Sequence, residues 1–260
     1  MSSHDALPHR LDRTVVIEAE RAIVFRYFTE SARWATWWGP GSTIDARPRG
    51  RAYIRHANGI EVAGEVVEID PPRRISFTYG FVSGKPFAAG SSLVTINLHQ
   101  EGAATRLVLT HEFADAGSRD EHVQGWRYQL SVFGNVVAND VHAGAAEAVD
   151  AWFAAWSEPE AAAREATLAR VAAPEIAFRD RFSLISGLAD LKPHLAAVHR
   201  FMPGMRLRRE GAVRHCQGMA LADWVATSTD GQERGRGTNV FVFRGAGLIE
   251  SVTGFWSAPG

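Results

Sequence analysis

Three tryptophans within five residues are the strongest constraint on how this chain folds. Trp34, Trp37 and Trp38 stand at positions i, i+3 and i+4, which places their side chains on one face of a helical turn. Ser31 is a suitable N-cap for that turn, and the Gly-Pro pair at 39–40 is a typical helix end. Because tryptophan is rarely left exposed, we expect a short helix whose aromatic face packs on a larger apolar surface.

The order of the remaining elements predicts two α+β domains. In the first half, alternating strands follow two short helices, an Asn-Gly pair at 58–59 marks a hairpin, and a long helix over about 119–139 closes the series. Residues 140–146 interrupt this pattern, and the second half begins again with helices before its strands. Each half therefore predicts an antiparallel sheet with helices on one side, and we place the domains at 1–141 and 142–260.

Composition argues against several classes of partner. The 260 residues carry a net charge of −1 without long charge runs, so neither a nucleic acid nor a membrane partner is expected. The single cysteine excludes an intrachain disulfide, and no signal-like or membrane-spanning apolar run occurs, so we expect a cytoplasmic protein. No histidine, cysteine and carboxylate cluster has metal-ligand spacing, and no phosphate-binding glycine loop appears, so we expect no metal and no cofactor.

The first half resembles the START-like (SRPBCC) superfamily, in the branch related to the activator of the heat-shock ATPase. The resemblance covers about residues 10–140 and rests on the opening strand at 15–19, the Trp-Trp-Gly-Pro motif at 37–40, the segments at 64–66, 71–77 and 107–111, and Gly125-Trp126 in the closing helix. It implies a helix-grip fold, in which a curved sheet grips a long C-terminal helix around an apolar cavity. It does not imply one activity.

The second half resembles the nuclear transport factor two-like fold, in the SnoaL-like polyketide cyclase and ketosteroid isomerase group. The matching segments are 176–180 followed by Gly187, the Pro-Gly pair at 203–204, Trp224 within its strand, and the segments 237–243 and 248–256. The resemblance implies a cone-shaped α+β barrel with an apolar pocket at its open end.

Asp180 is the sharpest chemical candidate. Its strand places it on one face with Ile176 and Phe178, and a carboxylate on an apolar face is costly unless it is paired or functional. The resemblance to the isomerase group implies a general base at this position. The alternatives are an aspartate that caps a turn, or one that pairs with Arg179 or Arg181 in solvent.

Asn239 is the second candidate, because it shares a strand face with Phe241 and Phe243. The resemblance implies that it stands where ketosteroid isomerases carry a protonated acid, and an amide could donate there to a developing oxyanion. The alternative is an asparagine that satisfies hydrogen bonds within the core. Those isomerases also use a tyrosine, and the second half has none, so Trp152, Trp156 or a histidine would have to supply a second donor.

Further residues are predicted to contact a substrate in one of two cavities. In the second half, we expect Asp223 to face the pocket and Trp224 to point away. A histidine on an apolar face is more often a core residue than an acid or base, and this alternative applies to both candidate histidines. The predicted substrate-binding residues are Trp152, Trp156, Phe178, His199, Asp223, Phe241 and Trp256 in the second half, and His111 and Trp126 in the first.

Three functional interpretations follow from these patterns. The first is a cofactor-independent isomerase, cyclase or dehydratase that moves a proton next to a carbonyl of an apolar, polyketide-like or terpenoid-like ligand. The second is a protein that binds such a ligand without catalysis. The third is an interaction module that forms a homodimer through the sheet of the C-terminal domain.

Overall fold

The chain folds as two α+β units, each with its own sheet. The computed structural model describes residues 7–257, and the units divide between Val137 and Ala138. The division lies close to the predicted one at 141/142, whereas the predicted outer limits at 1 and 260 lie outside the described residues. The two-unit α+β architecture predicted from the element order is confirmed.

Seven strands and three helices form the first unit. The strands are β1 (His9–Ile17), β2 (Thr43–Ile44), β3 (Arg51–Arg55), β4 (Glu61–Asp70), β5 (Arg74–Tyr79), β6 (Ser92–Glu101) and β7 (Ala104–Phe113). The helices are α1 (Arg21–Arg26), α2 (Ser31–Trp38) and α3 (Ala116–Val141), of which α3 continues past the division between the units. The sheet order is β1-β7-β6-β5-β4-β3-β2, and every neighbouring pair is antiparallel.

The tryptophan turn is the helix α2, and all three of its indoles are buried. Trp34 and Trp37 donate their indole N–H groups to the backbone carbonyls of Tyr53 and Tyr27, at 3.0 and 3.2 Å. Gly39 ends the helix with a φ of 140°, and a side chain there would overlap the carbonyl of Arg55. These contacts fix the helix against the sheet and make its aromatic face part of the core.

One detail of this turn differs from the prediction. Ser31 is the first helical residue, and Glu30 occupies the N-cap position without a side-chain capping bond. The Ser31 hydroxyl instead donates to the carbonyl of Ile44 and accepts from its N–H. The serine therefore pairs with the short edge strand β2 and is not available to cap α2.

The long helix α3 supplies the other half of the first core. Four apolar side chains at helical spacing form a buried stripe on this helix, namely Trp126, Leu130, Phe133 and Val137. Phe133 contacts the rings of Phe28 and Trp37 at centroid distances of 5.1 and 4.9 Å. A helix held against a seven-stranded sheet by aromatic side chains is the helix-grip arrangement expected of this half.

The second unit places three helices against a six-stranded sheet. The helices are α4 (Ala145–Ser157), α5 (Ala161–Val171) and α6 (Leu188–Phe201), and the strands are β8 (Ala172–Arg179), β9 (Leu184–Ser186), β10 (Arg206–Cys216), β11 (Met219–Thr227), β12 (Glu233–Phe243) and β13 (Ile249–Trp256). The sheet order is β10-β11-β12-β13-β8-β9. The pair β13·β8 is parallel, so this sheet is mixed and not purely antiparallel as predicted. Parallel neighbours require a long crossover, which residues 180–248 supply.

The core of the second unit lies between these helices and the inner sheet face. Trp152 and Phe153 of α4 meet Phe241 of β12 at centroid distances of 6.3 and 6.0 Å. Leu191 and Leu195 of α6 are fully buried. This packing closes one end of the unit, while an apolar cavity occupies the other.

Candidate functional site

An apolar cavity of about 340 Å³ opens in the second unit. This volume lies within the range of small-molecule sites. Its walls are mostly aromatic and aliphatic, with few polar side chains among them. The residues lining it are Trp152, Trp156, Phe178, Asp180, Phe182, Ser183, His194, Val198, Met202, Met205, Leu207, Trp224, Ala226, Asn239, Gly254 and Trp256.

Two indoles on the inner sheet face define one wall of the cavity. The strand register places Trp224 of β11 and Trp256 of β13 on either side of Gly237 in β12. The two rings meet edge to face, with centroids 4.9 Å apart and planes at 83°. A side chain at Gly237 would collide with Trp224, and one at Gly235 would collide with Trp256, so the two glycines of β12 make room for the indoles.

Each of these indoles holds one polar side chain of the cavity. Trp224 donates its Nε1–H to Asn239 Oδ1 at 2.8 Å, and Trp256 donates its Nε1–H to Asp180 Oδ2 at 3.1 Å. Because an indole N–H can only donate, it fixes the acceptor that it faces. The edge-to-face pair therefore sets the orientation of the carboxylate and of the amide together.

Asp180 is the first residue after β8, at the end of the strand. The Phe182 N–H donates to its Oδ1 at 2.8 Å, and its own N–H donates to the Ser183 carbonyl at 3.0 Å. The carboxylate thus caps a turn, as one sequence alternative has it, and also lines the cavity. Within residues 7–257, no arginine forms an ion pair with it. Each carboxylate oxygen has a second lone-pair direction, so both oxygens can accept one more proton or hydrogen bond.

Asn239 lies two strands away from Asp180, with Gly254 of β13 between them. Asn239 is the register partner of Gly254 in the antiparallel pair β12·β13, and Thr253 is the register partner of Arg179 in the parallel pair β13·β8. A Cβ atom on Gly254 would lie 3.1 Å from Asn239 Oδ1 and 3.2 Å from Asp180 Cβ. The missing side chain therefore leaves a narrow gap between Asp180 and Asn239 that is too tight for a methyl group unless the two side chains move. Because the Asn239 oxygen is engaged by Trp224, its Nδ2 is the remaining donor.

His194 of α6 is a cavity residue that sequence reasoning did not select. Its Nε2 lies 3.4 Å from Ser183 Oγ, and its ring packs against those of Trp156 and Phe178 at 5.9 and 6.3 Å. Val198, four residues later on α6, also lines the cavity, so the helical spacing of the two residues could have indicated that His194 faces the same side. It is a titratable group beside the carboxylate-bearing turn.

The structure brings together most of the predicted residues of the second unit. The aspartate, the asparagine and four of the predicted aromatic residues line the same cavity, namely Asp180, Asn239, Trp152, Trp156, Phe178 and Trp256. The catalytic and substrate-binding roles of these residues remain predictions.

Asp223 lies outside the cavity, which corrects the prediction for β11. Its side chain is exposed and accepts a hydrogen bond from Thr238, while Trp224 faces inward. The inner face of the strand is built from Ala220, Ala222 and Ala226, which are all buried. Small alanines make room for the bulky tryptophan, so the strand buries the face that looks less hydrophobic in the sequence.

His199 and Phe241 are the other two predicted residues that do not line the cavity. His199 lies five positions after His194 and is turned to another side of α6, where burial lowers its pKa most and Arg164 lowers it further. Phe241 is fully buried and packs on Trp152 and Phe153. It therefore belongs to the closed end of the unit.

The two candidates of the first unit form a hydrogen-bonded chain within the core. Trp126 Nε1–H donates to His111 Nδ1 at 2.9 Å, and His111 Nε2 lies 2.8 Å from Ser92 Oγ, which donates to the Tyr79 carbonyl at 2.8 Å. The indole can only donate, so the proton of the imidazole is on Nε2. Burial, and to a lesser extent His122, holds the pKa of His111 well below its usual value.

His111 is therefore a neutral, fully hydrogen-bonded core residue. Trp126 also borders a smaller hollow of about 250 Å³ between α3 and the hairpin β3–β4, which is lined by polar as well as aromatic groups. The first unit has other hollows of about 390 and 550 Å³, but the cavity of the second unit has the most apolar lining of those described, with a carboxylate in its wall.

In residues 7–257, no three histidine, cysteine, aspartate or glutamate side chains are grouped so that they could hold a metal ion. None of the helices described is long and apolar enough to cross a membrane.

The outer face of the second sheet is charged. Arg236 pairs with Glu233 at 2.7 Å, and longer ion pairs at 3.6 Å join Arg208 to Glu210 and Arg214 to Asp223. These groups are exposed, so each pair contributes little to stability. Homodimerisation through this face, one of the sequence hypotheses, would have to bury them.

Taken together, the geometry defines a two-unit α+β protein with an apolar small-molecule cavity in its second unit. Residues 18–138 match the family described as activator of Hsp90 ATPase homolog 1-like protein. This match lies almost entirely within the first unit, the half of the chain that the sequence likens to the START-like superfamily.

Two solved structures illustrate the similarities. One is a SnoaL-like family protein from Agrobacterium tumefaciens, with 22% identity over 46% of this chain and 99% of that chain and a TM-score of 0.42. Another is CalU16 from Micromonospora echinospora, with 24% identity over 49% of this chain and 75% of that chain and a TM-score of 0.42. A comparison with curated proteins finds no significant match.

Proposed function

We propose that the second unit binds an apolar carbonyl compound and moves a proton next to its carbonyl group. The single observation that carries this proposal is that Asp180 and Asn239 line the same apolar cavity, on either side of Gly254. A carboxylate beside a hydrogen-bond donor in an apolar enclosure is suited to forming and holding an enolate.

In the proposed reaction, Asp180 accepts a proton from the carbon next to the carbonyl. The electrons of that C–H bond form a carbon–carbon double bond, and the carbonyl electrons move to its oxygen. The Asn239 Nδ2–H donates to the resulting enolate oxygen. Return of the proton from Asp180 to another carbon of the enolate system completes an isomerisation. Attack of the enolate carbon on a second carbonyl, whose oxygen takes the proton back from Asp180, would complete a cyclisation.

The second donor that a tyrosine supplies in ketosteroid isomerases is absent from this unit. His194 is the cavity group best placed to take that part, because it borders the same turn as Asp180. Trp156 is the other possible second donor, because its buried Nε1–H has no partner among the described residues.

The exposed, free Cys216 is compatible with action in the cytoplasm, which we include in the proposal.

Proton exchange tests the proposal without knowledge of the natural substrate. A set of apolar ketones such as β-tetralone and decalones is incubated with the protein in deuterated water, and loss of the α-proton signal is followed by NMR. We expect exchange above the protein-free rate and a loss of about 100-fold to 10,000-fold in Asp180→Asn, which cannot accept the proton. Asn239→Leu should lose about 100-fold.

A matched control separates these losses from a general loss of charge. Asp190→Asn changes an exposed carboxylate in the first turn of α6, outside the cavity, and should exchange protons at the wild-type rate. Equal exchange by wild type and Asp180→Asn would refute the assignment of the base.

Ligand binding without chemistry is the second candidate function. The apolar lining of the cavity supports it independently of Asp180. It predicts that ketones of the set bind, as seen by saturation transfer from the protein, while no α-proton exchanges faster than in buffer. Binding that survives in Asp180→Asn together with absent exchange in wild type would favour this candidate over catalysis.

A further inference from the structure

Exposed apolar side chains concentrate at the mouth of the cavity. Phe182 is 70% exposed and Met202 48% exposed, although both also line the cavity, so they stand at its opening. Leu184, two residues after Phe182, is 84% exposed on the edge strand β9, and Phe201, beside Met202, is 77% exposed. Large apolar side chains that protrude together around an opening indicate a surface that contacts something apolar. We call Phe182, Leu184, Phe201 and Met202 the rim.

Cations accompany the two aromatic side chains of the rim. The guanidinium of Arg181 lies over the ring of Phe182 at 4.9 Å, and that of Arg200 lies over the ring of Phe201 at 5.7 Å. Neither arginine has an ion-pair partner in residues 7–257, and both are exposed. The segments 181–189 and 191–209, which carry the rim, contain no acidic residue. Asp180 and Asp190 flank the first of these segments, so the basic character belongs to the exposed rim and not to the whole mouth.

We propose that the rim docks on an anionic lipid surface. Aromatic and aliphatic side chains that project beside arginines match the boundary between headgroups and acyl chains, because the rings enter the apolar layer while the guanidinium groups remain at the phosphates. Docking in this orientation would turn the cavity mouth toward the acyl chains, where an apolar ligand is dissolved. The exposure of all four rim side chains, together with the arginines over two of them, favours a deformable anionic lipid surface as the occupant.

The net charge of the whole chain, from which we expect no membrane partner, does not describe this patch. The value of −1 averages the basic rim with acidic residues elsewhere. Peripheral attachment also needs no spanning helix. The inference draws on the proposed function only for the apolar character of the ligand, and lipid binding can be measured whether or not the protein is an enzyme.

Vesicle co-sedimentation of the full chain tests the proposal. The vesicles are phosphatidylcholine alone or phosphatidylcholine mixed with phosphatidylglycerol, at low and high salt. We expect binding to the anionic vesicles that weakens with salt, and at least about tenfold weaker binding of the double variant Phe182→Ser/Phe201→Ser. Arg181→Gln/Arg200→Gln should weaken binding to anionic vesicles and reduce its salt dependence.

The matched control is Val16→Ser/Val67→Ser, which removes two exposed apolar side chains of the first unit and should bind like wild type. Failure of wild type to bind anionic vesicles, or equal losses in the rim and control variants, would overturn the proposal. So would a wild-type dimer that the rim variants convert to a monomer, because the rim would then be covered by a second copy. Ketone exchange in the absence of lipid is read separately, so failure of this proposal and failure of the proposed function are distinguishable.

Discussion

Gly254→Ala is the most informative single change, because it adds one methyl group to the gap between the two candidate catalytic side chains. Gly254 does not have a left-handed backbone, so alanine is compatible with its conformation. The new Cβ would lie 3.1 Å from Asn239 Oδ1 and 3.2 Å from Asp180 Cβ, where ordinary contacts are longer. Both neighbours would have to move by a few tenths of an ångström.

The size of the effect differs between stability and activity. Overpacking of this kind costs about 1–3 kcal/mol of unfolding free energy. The proposed chemistry is more sensitive, because the methyl group would displace both candidate catalytic side chains, and a misplacement of about 1 Å can cost about 100-fold in rate. We therefore expect a folded variant with modestly lower stability and α-proton exchange reduced by about 10-fold to 100-fold.

Thermal unfolding and ketone exchange, measured on the same sample, check this prediction. Gly125→Ala is the control, because a Cβ on this exposed helical glycine of α3 meets nothing within 4 Å. It should stabilise the protein by about 0.5–1 kcal/mol and leave exchange unchanged. If Gly254→Ala folds and exchanges protons at the wild-type rate, Asp180 and Asn239 do not act together in the reaction.

Two further predictions concern buried hydrogen bonds. Trp224→Phe removes the donor to Asn239 Oδ1, and we expect a loss of about 1–3 kcal/mol of unfolding free energy in chemical denaturation, whereas Asn239→Leu in the same background should cost less than it does alone. In the first unit, His111 is protonated below about pH 6.5 in the unfolded state but stays neutral in the folded state. The unfolding free energy should therefore keep its highest value above that pH and fall by up to about 1.4 kcal/mol per pH unit as the pH decreases below it. Denaturation of wild type and His111→Gln from pH 7 to 5.5 checks this, and equal slopes for the two proteins would contradict it.

The helices and strands of both units could be predicted largely from periodicity. The tryptophan turn, the stripe on α3 and the alternation of the strands each contain large apolar side chains at a regular spacing, and such side chains have to be buried. The parallel pairing of β8 with β13 was not accessible in this way, because it joins two strands separated by most of the second unit. Local patterns carry no information on such a pairing.

The candidate site was predicted in part. Asp180 and Asn239 were accessible because each alternates with inward-facing aromatic residues, Phe178 before Asp180 and Phe241 after Asn239. The direction of Trp224 was wrong, because alanines build the inner face of β11 and the hydrophobic pattern on its outer face is stronger. The role of Gly235 and Gly237 was not accessible either, since a glycine shows the space it leaves only once the indoles opposite it are known.

The distribution of the eight tryptophans gives the protein a spectroscopic reporter of its own. The four in the first unit are buried in its core, while the four in the second all line the cavity. A ligand entering the cavity would displace water beside Trp152, Trp156, Trp224 and Trp256 and leave the surroundings of the other four unchanged. Intrinsic fluorescence should therefore shift or be quenched on binding. The emission of the four tryptophans in the first unit would serve as an internal reference for a titration without any label.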